Sequence, residues 1–324
     1  MQIIALIIAT LIPLIVLLVI RALDLYQTGN FRNVLLSFFW GVGSVWLALQ
    51  VNQYIYYNHF SDPHTLVRYV APVSEEILKA LALIVLLRLA SFTYFVDGSI
   101  YGFAAGMGFA ILENYLYILD YNPAGGMGTA ISRVISVNLV HASATALVGI
   151  ALGKARFSRA LGRIGYLIGG LLLAMFLHGL FNNIVDREIP GPMLLYSAVI
   201  GFAGVGIIAF IIFRGLAEQR VWIEEKLGMA DRVTDQEAKV VHKLADMGEV
   251  LKPFRQQFGD EKADQVEQFL LNQARLGIKR KTLDKLPDPK MRAAVEREMD
   301  EIRQKMDAAR RKVGVSAMLA VRVI

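Results

Sequence analysis

One stretch limits what this chain can become: Ala71-Pro72-Val73-Ser74-Glu75-Glu76-Ile77-Leu78-Lys79, set inside an apolar run that continues to Leu87. Two adjacent carboxylates and a lysine lie where a membrane helix should be greasy. Each ionisable side chain inside a bilayer costs roughly 2.5–3.5 kcal/mol on insertion scales. Three of them must be paired with one another, face a water-filled cavity, or both. The default reading of such residues is functional, so the rest of the chain is asked what it brings to meet them.

The surrounding sequence supports a membrane setting. Residues 1–213 hold only 11 of the 34 Lys and Arg and 9 of the 28 Asp and Glu; residues 214–324 hold the remainder. The first part therefore reads as membrane-embedded and the second as a small soluble helical domain. The fold class expected is all-α, a polytopic transmembrane bundle of about seven spans. They cover roughly residues 2–20, Val34–Tyr54, Leu66–Leu89, Gly98–Leu119, Ala130–Leu152, Ile164–Val185 and Met193–Phe213. The first reads as an uncleaved span, because no basic segment precedes it. Asp62 and Pro63 form a cap and first turn for the third. Pro72 frees the carbonyl of Arg68, so a break is expected one turn before the glutamates.

Loop charge sets an expected orientation. Lys154, Arg156, Arg159 and Arg163 crowd one loop, whereas residues 52–65 and 119–130 contain no Lys or Arg. By the positive-inside rule the N-terminus is external and the C-terminal domain cytoplasmic. The net charge of +6 fits cytoplasmic bias beside a bilayer and is no nucleic-acid footprint. With no cysteine, disulfides, thiolate metal sites and cysteine nucleophiles are excluded.

Residues 214–324 suggest helices over 216–228, 235–250, 260–276 and 288–313. Leu270, Leu271, Ala274 and Leu276 form a buried face, and Lys279-Arg280-Lys281 a solvated turn.

Three further spans carry buried polar groups: Glu113 and Asn114; Asn138 and His141; His178, Asn182 and Asn183. At about 1.5 Å per residue, Glu75, Glu76, Glu113, His141 and His178 all fall roughly 8–17 Å below the external face. Gly102 and Gly106, on the face of Glu113, let a neighbouring helix approach closely. Lys79 reads as a counter-ion for a glutamate, Arg133 as an anchor at the external interface, and His59 and His64 as incidental. A carboxylate pair can hold a water, take its proton and return one to a leaving amine. A histidine or asparagine can donate to the oxyanion. The set therefore suffices for peptide hydrolysis without a nucleophilic side chain. The same atoms can hold zinc, with His141, His178 and Glu113 as ligands. They also suit an ion-coupled transporter, or a non-catalytic scaffold that tolerates loss of the glutamate charge.

The ordered motifs resemble those of the PrsW-like intramembrane proteases, which belong with the CAAX endopeptidases and Abi proteins. They are Glu75-Glu76-Ile77-Leu78-Lys79 after Ala71-Pro72, Gly106-Met107-Gly108-Phe109-Ala110-Ile111-Leu112-Glu113-Asn114, then His141, then His178-Gly179-Leu180-Phe181-Asn182. Glu113 stands where CAAX endopeptidases carry a histidine, as in the PrsW branch. The resemblance implies an intramembrane endopeptidase of glutamic type in a bacterial cell membrane. Glu75 or Glu76 would be the base and His178 and Asn182 would polarise the carbonyl. Glu113 and His141 would orient the water or the catalytic glutamate. It implies no cofactor, with zinc as the alternative. It also implies a single-span membrane substrate, such as an anti-sigma factor, cut near the external face. The motifs do not reach residues 214–324.

Overall fold

The computed structural model describes residues 1–186, 193–227 and 247–321. Those residues form helices and connectors, with no strand among them. Their contacts divide the chain into two compact units.

The first unit comprises residues 1–23, 29–88 and 94–213. Its helices are α1 (Gln2–Ala22), α2 (Phe31–Tyr57), α3 (Ala71–Leu86), α4 (Phe95–Leu116), α5 (Gly126–Ile135), α6 (Val137–Ala155), α7 (Ala160–Asp186) and the start of α8 (Met193–Lys226). Among the described residues, six helical segments are long and apolar enough to cross a membrane. The remaining expected span is the continuous helical stretch 63–86. It has the length, but Arg68, Glu75, Glu76 and Lys79 give it an untypical composition.

That stretch begins as the sequence suggests. Asp62 accepts hydrogen bonds from the amides of His64 and Thr65, both at 3.0 Å, and Pro63 fills the first turn. Bonds from the Thr65 side chain and these amides hold the Asp62 carboxyl below the usual carboxylate range. The break expected from Pro72 takes the form of a π-turn over Leu66–Val70, in which the Ala71 amide donates to Leu66. Proline lacks an N–H, so the ladder re-registers by one residue just before it instead of kinking outward. The fifth span is also interrupted: Ser136 leaves helical geometry (φ −130°, ψ −79°) and separates α5 from α6.

Helix α4 is the centre of the unit. It is almost wholly buried and packs against α6, α2 and α1, while α6 also packs on α7. Glycines permit this. A Cβ at Gly106 would overlap the backbone of His141 and Ala142, and one at Gly102 the backbone of Thr145 and Ala146. The small-residue stripe therefore sets how deeply His141 and Thr145 sit beside α4.

The second unit comprises residues 24–28, 89–93 and 214–324. It holds the end of α8 and helices α9 (Met247–Val250), α10 (Lys252–Phe258), α11 (Asp260–Lys285), α12 (Pro289–Val313) and α13 (Val315–Val321). Asp288 caps α12 by accepting from the amides of Lys290 and Met291. Helices α11 and α12 pack together, and Leu270, Leu271, Ala274 and Leu276 are buried. Lys279-Arg280-Lys281 is not a turn. Helix α11 runs through Gly277 to Lys285, and Lys279 is buried, with its ammonium 2.9 Å from Glu298. Gly277 stays helical because its missing side chain admits the backbone of Ile223. The helix expected over 235–250 lies largely outside the described residues.

Candidate active site

Glu76 sits at the enclosed end of the first unit's polar cluster, beside the equally buried Lys79. It is fully buried, and every bond it accepts comes from another element or another turn. One oxygen accepts from Lys79 Nζ at 2.5 Å and from His178 Nδ1 at 3.0 Å; the other accepts from Thr145 Oγ1 at 2.9 Å. Lys79 Nζ also lies 3.0 Å from His141 Nδ1 and 4.5 Å from the centre of the Phe109 ring. It thus serves two partners rather than one. The alternative pairing with Glu75, which helical spacing permits, is not made.

His141 continues the chain of bonds. Its Nε2 is 3.0 Å from Glu113 Oε2, which also accepts from Arg133 at 2.5 Å. Arg133 Nε donates to Asn114 at 2.7 Å, and Asn114 donates to Asn138 at 2.9 Å. Arg133 is therefore no interface anchor. It is buried and lies over the Tyr117 ring. The break at Ser136 explains the misreading, because α5 is not a straight continuation of α6 and its last turn delivers Arg133 to Glu113. A buried carboxylate needs a partner, which was the one signal in the sequence that pointed to Arg133.

Glu75 differs from both other glutamates. It faces a cavity of about 640 Å³, and its Oε2 has no hydrogen-bond partner among the described residues. That oxygen lies 3.8 Å from His178 Nε2, too far for a hydrogen bond. The cavity is also lined by Glu113, Arg133, His141, His178 and Asn182, with Val45, Ala48, Phe109 and Leu116 as an apolar wall. At its rim Asp186 meets Arg68 Nε at 2.5 Å and the exposed His64 Nδ1 at 3.0 Å. Asn182 lines the cavity, but its amide donates to the Val67 carbonyl at 2.9 Å, a group that the π-turn leaves available.

The structure thus joins Glu75, Glu76, Glu113, His141 and His178 in one cluster and sets Asn182 in the wall of the same cavity. Residues 29–216 match the family model described as "PrsW family intramembrane metalloprotease". The chain belongs to the PrsW family of intramembrane proteases. It is 31% identical to Protease PrsW of Bacillus subtilis over half of this chain and 73% of that protein. It is 29% identical to Protease PrsW of Clostridioides difficile over 54% of this chain and 76% of that one. With Protease PrsW of Geobacillus kaustophilus the identity is 40%, over 26% of this chain and 36% of the relative. No solved structure gives a significant match. PrsW membership makes this chain a multi-pass membrane endopeptidase, and the transporter and scaffold alternatives lose their footing.

The family description raises the question of a metal. Glu75, His141 and His178 each bring one donor atom within 4.8 Å of the others, a possible metal site by donor type. The carboxylate is Glu75, not the expected Glu113, whose Oε2 already serves Arg133 and His141. The hydrogen-bond roles then decide the fit. An ammonium has donors only, so Lys79 makes His141 Nδ1 an acceptor and leaves the hydrogen on Nε2, where it is given to Glu113. A protonated ring nitrogen is no ligand. As bonded, the set offers one imidazole lone pair and one carboxylate, short of the three protein ligands that catalytic zinc uses. The residues do not fit the metal in this arrangement.

Proposed function

We propose that this PrsW-family protease hydrolyses peptide bonds with a water activated by Glu75, without a metal. The observation that carries the reading is the contrast between the two adjacent glutamates. Glu76 has its lone pairs committed to Lys79, His178 and Thr145, whereas Glu75 lines the cavity and keeps one oxygen without a hydrogen-bond partner among the described residues. A general base must keep a lone pair for a water; Glu113 lines the same cavity but is held by Arg133 and His141, whereas Glu75 has an oxygen left unbonded.

Charge arithmetic supports a division of roles. Glu75, Glu76 and Glu113 carry three negative charges against the two cations Lys79 and Arg133, so one more proton balances the buried cluster. For this chemistry that proton must sit on His178 when substrate is bound, as a doubly donating imidazolium. Nδ1 stays bonded to Glu76, and Nε2 donates to the scissile carbonyl oxygen as it becomes an oxyanion. Glu75, left ionised, takes a proton from water as the oxygen attacks the carbonyl carbon. It then hands that proton to the leaving amine, the C–N bond breaks, and the second fragment leaves as a carboxylic acid. Glu76 and Lys79 are positioning residues: one orients His178, the other His141. Asn182 is positioned to help polarise the carbonyl once a substrate strand competes for the Val67 carbonyl.

The substrate class is a single-span membrane protein, such as an anti-sigma factor, entering as an unwound segment near the external face. In this reading residues 1–213 are the protease domain, with the N-terminus external, and residues 214–324 a cytoplasmic helical domain. The test is quantitative membrane proteomics comparing the native host with its Glu75→Gln variant. One or a few membrane proteins should accumulate at full length and lose a released external fragment. Unchanged processing in Glu75→Gln would remove Glu75 from the base role.

A further inference from the structure

A second cavity, of about 490 Å³, lies away from the polar cluster, between α1 and α2 and over α4. These two helices do not pack on one another. Helix α1 rests on α4 and α5, and α2 on α4 and α3. The floor between them is Ile111, Leu112 and Tyr115, and the walls are aliphatic and aromatic, including Leu14, Leu17, Val34 and Val42. At one end the Tyr115 hydroxyl donates to Thr10 Oγ1 at 2.5 Å, and Thr10 donates in turn to the Leu6 carbonyl at 2.8 Å, within an otherwise apolar channel. At the other end the Arg21 guanidinium lies 4.6 Å from the centre of the Phe31 ring, bridging the two helices. Arg32 follows directly and is exposed. Neither arginine makes an ion pair with a carboxylate among the described residues.

We propose that this groove binds one acyl chain of an anionic phospholipid, with the phosphate held by Arg21 and Arg32. Three observations support that occupant. From Thr10 to Arg21 the groove runs about 16 Å at 1.5 Å per residue, close to the depth of one leaflet in a hydrocarbon core about 30 Å thick. Its lining offers nothing polar between its ends, which suits a hydrocarbon chain. Its mouth carries Arg21, with the exposed Arg32 next in sequence to the lining Phe31, and neither has a carboxylate partner among the described residues, which suits a phosphate over a neutral headgroup. The site shares no lining residue with the catalytic cavity.

The test is native mass spectrometry of the full chain, purified in detergent and offered equal phosphatidylglycerol and phosphatidylcholine. The wild type should retain one phosphatidylglycerol in preference to phosphatidylcholine. Arg21→Gln and Arg32→Gln should each cut that preference about fivefold, because an arginine near the surface contributes about one such factor. Leu14→Trp and Val42→Phe, which fill the groove by different routes, should lower retention of both lipids. Leu173→Trp, on the exposed face of α7, should not. Equal retention of the two lipids by the wild type would overturn the headgroup assignment. Undiminished retention in both filling variants would overturn the site. Loss of substrate cleavage in those variants with lipid retention intact would assign the groove to a protein partner instead.

Discussion

The inner wall of the site and its cavity face meet at one peptide bond and could hardly differ more. On the inner wall, Glu76, Lys79, Thr145 and His178 are buried and bonded to one another. On the cavity face, Glu75 has an oxygen with no partner. Successive residues on a helix point about 100° apart, so Glu76 is enclosed on the inner wall while Glu75, also buried, borders the cavity. The same chemical group is thereby fully bonded at one position and left with an unpartnered oxygen at the next, the contrast on which the proposed base role of Glu75 rests. Identity of residue type says nothing about role here; the count of bonds already made does.

The largest effect should come from the open face. Glu75→Gln should lower cleavage about 10³-fold in proteoliposomes, in the range that loss of a general base costs, with the thermal midpoint little changed. Cleavage within tenfold of wild type would erase the distinction between the two glutamates.

The inner wall should answer in stability first. Lys79→Met leaves Glu76 buried beside one imidazole and one hydroxyl, which should cost about 3–5 kcal/mol. Thermal unfolding in detergent would register it. The double variant Lys79→Met with Glu76→Gln should recover much of that loss, because it removes the stranded charge along with its partner. A double variant no more stable than Lys79→Met would mean that Lys79 acts mainly through His141.

Thr145→Val is a smaller probe of the same wall. It deletes one hydrogen bond to a buried carboxylate and should cost about 1.5–3 kcal/mol, with cleavage of the folded fraction largely kept. The smallest expected effect is that of a metal chelator: cleavage by the purified enzyme should not change. Chelator inhibition reversed by zinc would show that the bond between Lys79 and His141 gives way in the working enzyme.

Much of this site was legible in the sequence because a bilayer leaves few excuses for a charge. Glu75, Glu76, Lys79, Glu113, His141 and His178 stood out against apolar neighbours, and the constant rise of a helix put them at one depth. Pro72 announced a break, though not that it would be a π-turn. Arg133 was misread because its place depends on Ser136 leaving helical geometry, which no periodicity reveals. Lys279 was misread because a glycine ahead of a basic run looks like a turn, and only the approach of Ile223 explains why Gly277 stays in the helix.

The sequence by itself determined the chemistry available: which spans are apolar, which carry carboxylates and imidazoles, and that these groups share a layer. It did so because helical rise and the cost of burying charge are local and additive. Only the tertiary structure decided which glutamate is free, which nitrogen of His141 holds the hydrogen, and which carboxylate could face a metal. Those outcomes depend on α4, α6 and α7 packing at glycine contacts, where a few tenths of an ångström determine whether a hydrogen bond is made.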